Sequence, residues 1–391
     1  MLGRRRWIGT VAGLCLLSAL GVGCGKKDGG GAGPEPASNE WKVGAYLSLS
    51  GAETQFGKDT QEGTELAVEE INAKGGVKGK KVRVLFEDDK SNPQEASNKV
   101  LQLINRDKVV ALLGEVASSR SKAGGIVANK NKIPMISPSS TNPDVTKVGP
   151  FVFRVCFTDD VQGQMGARFV KNKLNKSKVA VLYASDDLYS SGLANEFKNE
   201  AKKLGMTIVA EKSFLKSETN FTTYLNEIKS AEPEAIYAPV YYNAMVPIAR
   251  QAKAAGIPGN MFVGGDGWHS DSLVNDAGEE MEGAYFTNHF SPDMPSPNSQ
   301  AFVKRYVEKY KREPSALAAQ GYDSAMLLFD AMGRAKGDTP EAIRDAIAET
   351  KSFQGATGAI TIDAERNAEK PIVIVQIKGK KFTYFDTVTA K

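Results

Sequence analysis

Histidine and cysteine are scarce in this chain, and the shortage removes several kinds of chemistry at once. Its 391 residues hold two histidines, His269 and His289, and three cysteines, Cys15, Cys24 and Cys156. Two histidines are too few for a histidine-based metal site and leave little room for a Ser-His-Asp triad. No Gly-x-Ser-x-Gly elbow occurs, and no Gly-x4-Gly-Lys-[Ser/Thr] phosphate loop. The sequence therefore predicts a protein that is not an enzyme and that needs no cofactor and no metal. A basic surplus is also lacking. Of the 50 lysines and arginines, three (Arg4, Arg5, Arg6) sit in the first six residues, which leaves 47 against 46 acidic residues in the rest. No basic patch argues for a nucleic-acid partner. After the N-terminus no apolar run approaches the length of a membrane span.

What is present begins with an export signal. Arg4–Arg6 precede an apolar run from Trp7 to Leu20, followed by small residues at Gly21 and Gly23. Charged, apolar and small segments in that order are the layout of a secretory signal. The segment Leu20-Gly21-Val22-Gly23-Cys24 resembles a bacterial lipobox, with Gly21 where leucine is usual. Residues 1–23 are expected to be a signal peptide and Cys24 to carry lipid. Residues 24–40, a Gly-, Pro- and Ser-containing stretch with few apolar residues, are expected to form a flexible linker to the folded body. The product would be exported and lipid-anchored to a bacterial membrane, at the periplasm or cell surface. With Cys15 removed and Cys24 lipidated, no intramolecular disulfide is available. Cys156, in the apolar run 151–157, reads as a buried inert thiol.

From Trp41 onward, short apolar runs alternate with amphipathic stretches. Strands are predicted at Lys42–Leu47, Val82–Phe86, Val109–Leu113 and Ile133–Ser137. The helices between them are Gly57–Lys74, Pro93–Arg106 and Ser119–Asn131. A second series follows, with helices Val161–Leu174, Gly192–Leu204, Phe221–Ser230 and Ala244–Ala255. Its strands are Val179–Tyr183, Thr207–Ala210, Ala235–Pro239 and Met261–Gly264. Three further helices (Phe302–Tyr310, Ala316–Arg334, Pro340–Glu349) precede strands Pro371–Ile377 and Phe382–Val388. Val-, Ile- and Leu-rich strands alternating with helices predict parallel sheets covered on both faces, here in two domains.

In such folds ligands sit beyond the carboxyl ends of strands, so the loops after strands carry the candidate site. Gly114–Arg120 opens a helix, where Ser118 or Ser119 can act as the N-cap and receive a carboxylate. Ser137–Pro143 clusters the hydroxyls of Ser139, Ser140 and Thr141. Ser185–Gly192 carries Tyr189, able to cover a ligand while donating its hydroxyl. Pro239–Asn243 carries Tyr241 and Tyr242. Gly264–Trp268 sets Asp266 among glycines, where it can hold an ammonium. Each loop alone is equally a plain turn or cap. Together they offer hydroxyls and a helix end for a carboxylate, an acid for an ammonium and aromatics for a side chain, a set that suits a zwitterionic amino acid.

From Trp41 to the C-terminus the chain resembles the leucine/isoleucine/valine-binding family of bacterial ABC-transporter substrate-binding proteins. The resemblance is carried by Gly51-x4-Phe56-Gly57, Ala67-x3-Glu70-Ile71-Asn72-Ala73-Lys74-Gly75-Gly76, Glu87-Asp88-Asp89-x3-Pro93 and Ile133-Pro134-x2-Ser137-Pro138-x2-Thr141-Asn142-Pro143. It implies an α/β fold of the type I periplasmic binding protein: two hinge-linked, Rossmann-like lobes with parallel-rich sheets. Lobe one would be 41–158 and 290–369, and lobe two 159–289 and 370–391. It implies Ser118, Ser139 or Ser140, and Thr141 as carboxylate contacts, Tyr189 as an inter-lobe tyrosine, Asp266 as the ammonium acid, and Phe56 with Tyr241 or Tyr242 around the side chain. The implied partners are a small amino acid and an ABC permease, with the protein itself a monomer. Ser91 and Ala117 stand where some relatives carry a disulfide. Sensing instead of transport, or a ligand such as an amide, urea or an aromatic acid, fits the same fold.

Overall fold

The computed structural model describes residues 40–388. The signal segment, Cys24 and the linker up to residue 39 lie outside the described residues. Two sheets organise the rest. The first is wholly parallel, in the order β2-β1-β3-β4-β5. It comprises β1 (Glu40–Leu47), β2 (Lys81–Asp88), β3 (Ala111–Leu113), β4 (Met135–Ser137) and β5 (Val152–Arg154). The helices between them are α1 (Thr54–Ala73), α2 (Pro93–Asn105), α3 (Ser118–Lys130) and the single turn α4 (Asp144–Lys147).

The second sheet has the order β15-β14-β10-β9-β8-β6-β7. Its parallel part is β6 (Lys178–Ala184), β7 (Thr207–Phe214), β8 (Ala235–Tyr237), β9 (Phe262–Gly264) and β10 (Tyr285–Asn288). Helices α5 (Asp159–Arg168), α6 (Leu188–Lys203), α7 (Thr222–Ser230), α8 (Tyr242–Ala254) and α9 (Asp271–Ala277) accompany it. The chain then returns to the first lobe as α10 (Pro297–Tyr310), α11 (Ala316–Arg334) and α12 (Pro340–Ala348). Tyr322 of α11 bonds Glu70 of α1, and the α10 residues Tyr306 and Tyr310 bond Glu62. A small antiparallel sheet follows, β11 (Phe353–Gly355), β12 (Gly358–Ile362) and β13 (Ala368–Glu369). Finally β14 (Ile372–Lys378) and β15 (Lys381–Val388) add antiparallel strands to the second sheet. The chain thus passes between the lobes three times, after β5, after β10 and after β13. Two parallel-rich lobes joined by three crossings are the type I periplasmic binding-protein fold.

The local causes are visible in single residues. Gly57 lets α1 lie against the end of β1, since a Cβ there would meet the Ser48 carbonyl oxygen at 2.1 Å. Asn72 closes α1 onto β2 by bonding both the N–H and the carbonyl of Val82. Strands β3, β4, β8 and β9 are short and wholly buried, as strands of sheets covered on both faces should be.

Several element boundaries differ from the sequence expectation. Helix α5 ends at Arg168 and continues as a wide π turn over Phe169–Lys173 instead of running unbroken to Leu174. Strands β5 and β10 were not foreseen. Both are short, and their identity comes from pairing with β4 and with β9 and β14. Helices α1, α6, α8 and α10 begin two to five residues earlier than expected, and in α6 and α10 a polar cap precedes the apolar face. Asp187 caps Ser190 of α6, and Ser296 caps Ser299 of α10.

Candidate ligand-binding site

The carboxyl ends of both sheets face one another across a small cavity. Phe56, Val116, Ser118, Ser139, Thr141 and Leu317 line it from the first lobe; Tyr189, Tyr241, Asp266 and Gly267 line it from the second. The lobes are closed on it. The Tyr242 hydroxyl donates to Ala52 O and accepts from Gln55 N–H, each at 3.3 Å, and Asn142 Nδ2 donates to Leu188 O at 2.9 Å.

One end of the cavity is a set of unspent donors. Helix α3 starts at Ser118 with Ala117 as its N-cap, and no side chain caps it. This corrects the expectation that Ser118 or Ser119 is the cap. The Ser118 hydroxyl oxygen instead accepts the Asn142 N–H at 3.3 Å, which leaves its proton for a ligand. The Ser139 hydroxyl is buried without a hydrogen-bond partner among the described residues. The Thr141 hydroxyl lies close to Asp159 without a well-directed hydrogen bond. Burial pushes the Asp159 carboxyl well above the usual range, with Asp266 adding to the effect. Three foreseen residues stand apart. Ser119 does not line the cavity. Ser140 turns its hydroxyl inward, onto Glu115 O, Val116 O and Ser121 Oγ. Tyr242 serves the lobe contact just described.

The other end is Asp266, 8% exposed. Gln162 Nε2 (2.7 Å) and the Tyr189 hydroxyl (3.0 Å) both donate to its Oδ1. His289 Nε2 lies 3.2 Å from Oδ2. Burial lowers the His289 pKa to about 4, against an opposing pull from Asp266, so the ring is neutral and donates. It stacks on Phe157 at 3.8 Å. The Tyr189 hydroxyl also accepts the Gly267 N–H at 3.1 Å. It therefore holds the acid in place, where the sequence reading had it donate to a ligand. Gln162 and His289 were not foreseen: Gln162 lies within α5, and His289 follows β10, a strand that was itself not foreseen. Gly265 gives this cluster its room, because a Cβ there would meet the Tyr189 hydroxyl at 2.5 Å and Gln162 Oε1 at 2.6 Å.

Aromatic rings close the sides. Tyr241 stacks on Tyr189 (4.8 Å between centroids, 7° between planes) and meets Phe56 edge-on at 5.6 Å. Tyr241 also borders a second small cavity that reaches Asp187, Lys216 and Asn243. Behind the first lobe's wall lies a buried charge cluster. Arg120 meets Glu115 at 3.0 Å, Glu53 at 3.1 Å and Asp89 at 3.9 Å. Burial would lower the Arg120 pKa, but Glu115, Glu53 and Asp89 together raise it. Burial and Glu115 push Asp89 up to about 8. From the second lobe, Lys216 Nζ reaches Glu53 Oε1 at 3.6 Å and its own lobe's Asp187 at 3.1 Å. Cys156 is buried with a free thiol, pushed up to about 12 by burial.

Fold and cavity together define a two-lobed protein that encloses a small solute at its lobe junction. The family model described as periplasmic binding protein matches residues 40–381, and the chain belongs to that family. An amino acid binding protein from Pseudomonas aeruginosa is 30% identical over 304 residues, 76% of this chain and 79% of that one. A leucine binding protein from Thermotoga maritima has a similar structure, with TM-score 0.84 and 36% identity over 89% of this chain and 99% of that one. The substrate binding protein of a branched-chain amino acid transporter from Streptococcus pneumoniae, solved with isoleucine, also gives TM-score 0.84. It is 34% identical over 89% of this chain and 99% of that one.

Proposed function

We propose that this chain is an extracytoplasmic solute-binding protein that captures an amino acid, branched-chain or similarly small, and delivers it to an ABC permease. The observation that carries the reading is the opposition of two chemistries across one closed cavity. Asp266, held by three donors, faces the unspent donors of Ser118, Ser139 and Thr141. An α-ammonium and an α-carboxylate satisfy the two ends, and Phe56, Val116, Leu317 and Tyr241 leave apolar room for a short side chain. The names of the relatives point the same way. In this reading the lobes are 41–158 with 290–369 and 159–289 with 370–391. Ligand docks first on lobe one, and lobe two then swings in with Tyr189 and Asp266. Closure is favoured only because the ligand contacts both lobes in the closed form. Lipidation at Cys24 would hold the protein, as a monomer, at the membrane beside its permease. Binding without turnover is its whole activity.

The test is thermal unfolding of the full chain, refolded from denaturant to remove carried-over ligand, against the twenty amino acids and a few amides and aromatic acids. A ligand at 100 times its Kd stabilises by about 2.7 kcal/mol, a visible shift. The expected result is a shift with a group of small aliphatic amino acids. A shift with amides or aromatic acids alone would retain the fold and overturn the zwitterion reading.

A further inference from the structure

The loop that carries Ser139 and Thr141 is held from behind by an arginine that has no acid of its own. Arg154, the last residue of β5, is wholly buried. Its Nη1 donates to Ser140 O at 2.6 Å and its Nη2 to Asn142 O at 2.7 Å, with Thr146 Oγ1 at 3.5 Å. These two carbonyls bracket Thr141. The carbonyl between them, Thr141 O, accepts the Asp159 N–H at 2.9 Å, and the Cys156 thiol adds a second bond to Ser140 O at 3.3 Å. The three successive carbonyls of Ser140, Thr141 and Asn142 are thus drawn toward the first lobe crossing. What the loop turns to the cavity is hydroxyls.

The charge accounting is unusual. No carboxylate lies within ion-pair distance of Arg154 among the described residues. Asp159 and Asp160, its acidic neighbours in sequence, act on it only through space, and burial pushes Asp159 toward its neutral form. A buried guanidinium bonded only to neutral groups is unfavourable unless a negative charge completes the arrangement. The cavity in front of the loop is where that charge would stand.

We propose that Arg154 is the positioning residue of the ligand's carboxylate end. It fixes the Ser140–Asn142 main chain, and through that polarised main chain it supplies the positive charge that the carboxylate answers. The inference rests on the amino-acid reading above and deepens it. It divides the work between the lobes, with an arginine behind the carboxylate in one and an aspartate before the ammonium in the other.

The test compares one ligand with and without its charge. The full chain, as wild type, Arg154→Met and Arg154→Lys, is titrated calorimetrically with L-isoleucine and with L-isoleucinamide. Arg154→Met is expected to raise the Kd for isoleucine by about 10- to 100-fold, the range for lost hydrogen bonding to a charged group. The amide is expected to change by about threefold or less. Arg154→Lys, which keeps the charge but reaches one carbonyl at a time, is expected to fall between. Equal weakening of both ligands would overturn the proposal, because a merely structural role disturbs the loop for either. Wild-type affinity for isoleucine in Arg154→Met would do the same. Should Arg154→Met fail to fold, wild-type binding of isoleucine by Arg154→Lys overturns it. A wild type that binds neither probe overturns the amino-acid reading and this inference together, whereas the other adverse outcomes leave that reading standing.

Discussion

The contact between Lys216 and Glu53 should control how firmly the lobes stay shut. Glu53 is buried in the first lobe, and its Oε2 is taken by Arg120. Its Oε1 has no hydrogen-bond partner among the described residues and faces Lys216 of the second lobe at 3.6 Å. Opening the lobes would break this pair while leaving the Lys216–Asp187 pair intact, since both of those residues belong to the second lobe. Of the two Lys216 pairs, only the one with Glu53 therefore distinguishes closed from open. Two unit charges at that distance attract by about 5 kcal/mol at an effective dielectric near 20. The Lys216 side chain is 35% exposed, and screening reduces the useful part to about 1–2 kcal/mol. That corresponds to about 5- to 30-fold in the closed-to-open ratio. Lys216→Met removes the charge and keeps an aliphatic chain against the Tyr241 ring. Its ligand off-rate, measured by stopped flow, is expected to rise by about 5- to 30-fold at low salt, with the gap to wild type narrowing in 1 M salt as screening takes over. An off-rate equal to that of wild type at low salt would refute the reasoning.

Further outcomes follow from the acid end and its surroundings. Asp266→Ala should weaken amino-acid binding by about 2–5 kcal/mol, because the ammonium and three donors lose their partner, with Asp266→Asn intermediate; calorimetry showing wild-type affinity for both would contradict the assignment. Gly265→Ala should unfold cooperatively like wild type yet bind poorly, since its Cβ displaces Tyr189 and Gln162 from Asp266; undiminished affinity would contradict that geometry. Burial depresses the His289 pKa to about 4, below its ordinary value near 6.5. The folded state thus binds fewer protons between those values, and stability from this group is lost as pH falls through that window. Urea unfolding of wild type and His289→Asn should diverge on acidification from about 6.5 to about 4, wild type falling faster; parallel curves would refute it.

The alternation of strands and helices was legible because buried parallel strands are nearly all apolar and helices carry one apolar stripe. Reading stopped where pairing, not composition, makes the element. Tyr285–Asn288 is a strand because β9 and β14 flank it, and nothing within its four residues requires that. The loops after strands carried most of the cavity wall, since that placement follows from the architecture. Orientation was not legible. Ser139 and Ser140 are neighbours of one chemical type, and only the packing of Ser121 and the Glu115 and Val116 carbonyls turns Ser140 inward. Gln162, His289, Arg154 and Lys216 sit in different elements and loops, and their partnerships exist only in the folded chain.

Tyr241 has a consequence for how such a protein could change its diet. Its ring is a partition, bordering the ligand cavity on one face and the space reaching Asn243 and Lys216 on the other. It makes no hydrogen bond to the acid or to the hydroxyl loop, and meets the acid's holders only through its stack on Tyr189. Shortening this one side chain would merge the two spaces and admit a longer solute with a polar tip, while the grip on the amino-acid head stayed as it is. A lineage carrying this scaffold can thus try new cargo one substitution at a time, without first dismantling the site that already works.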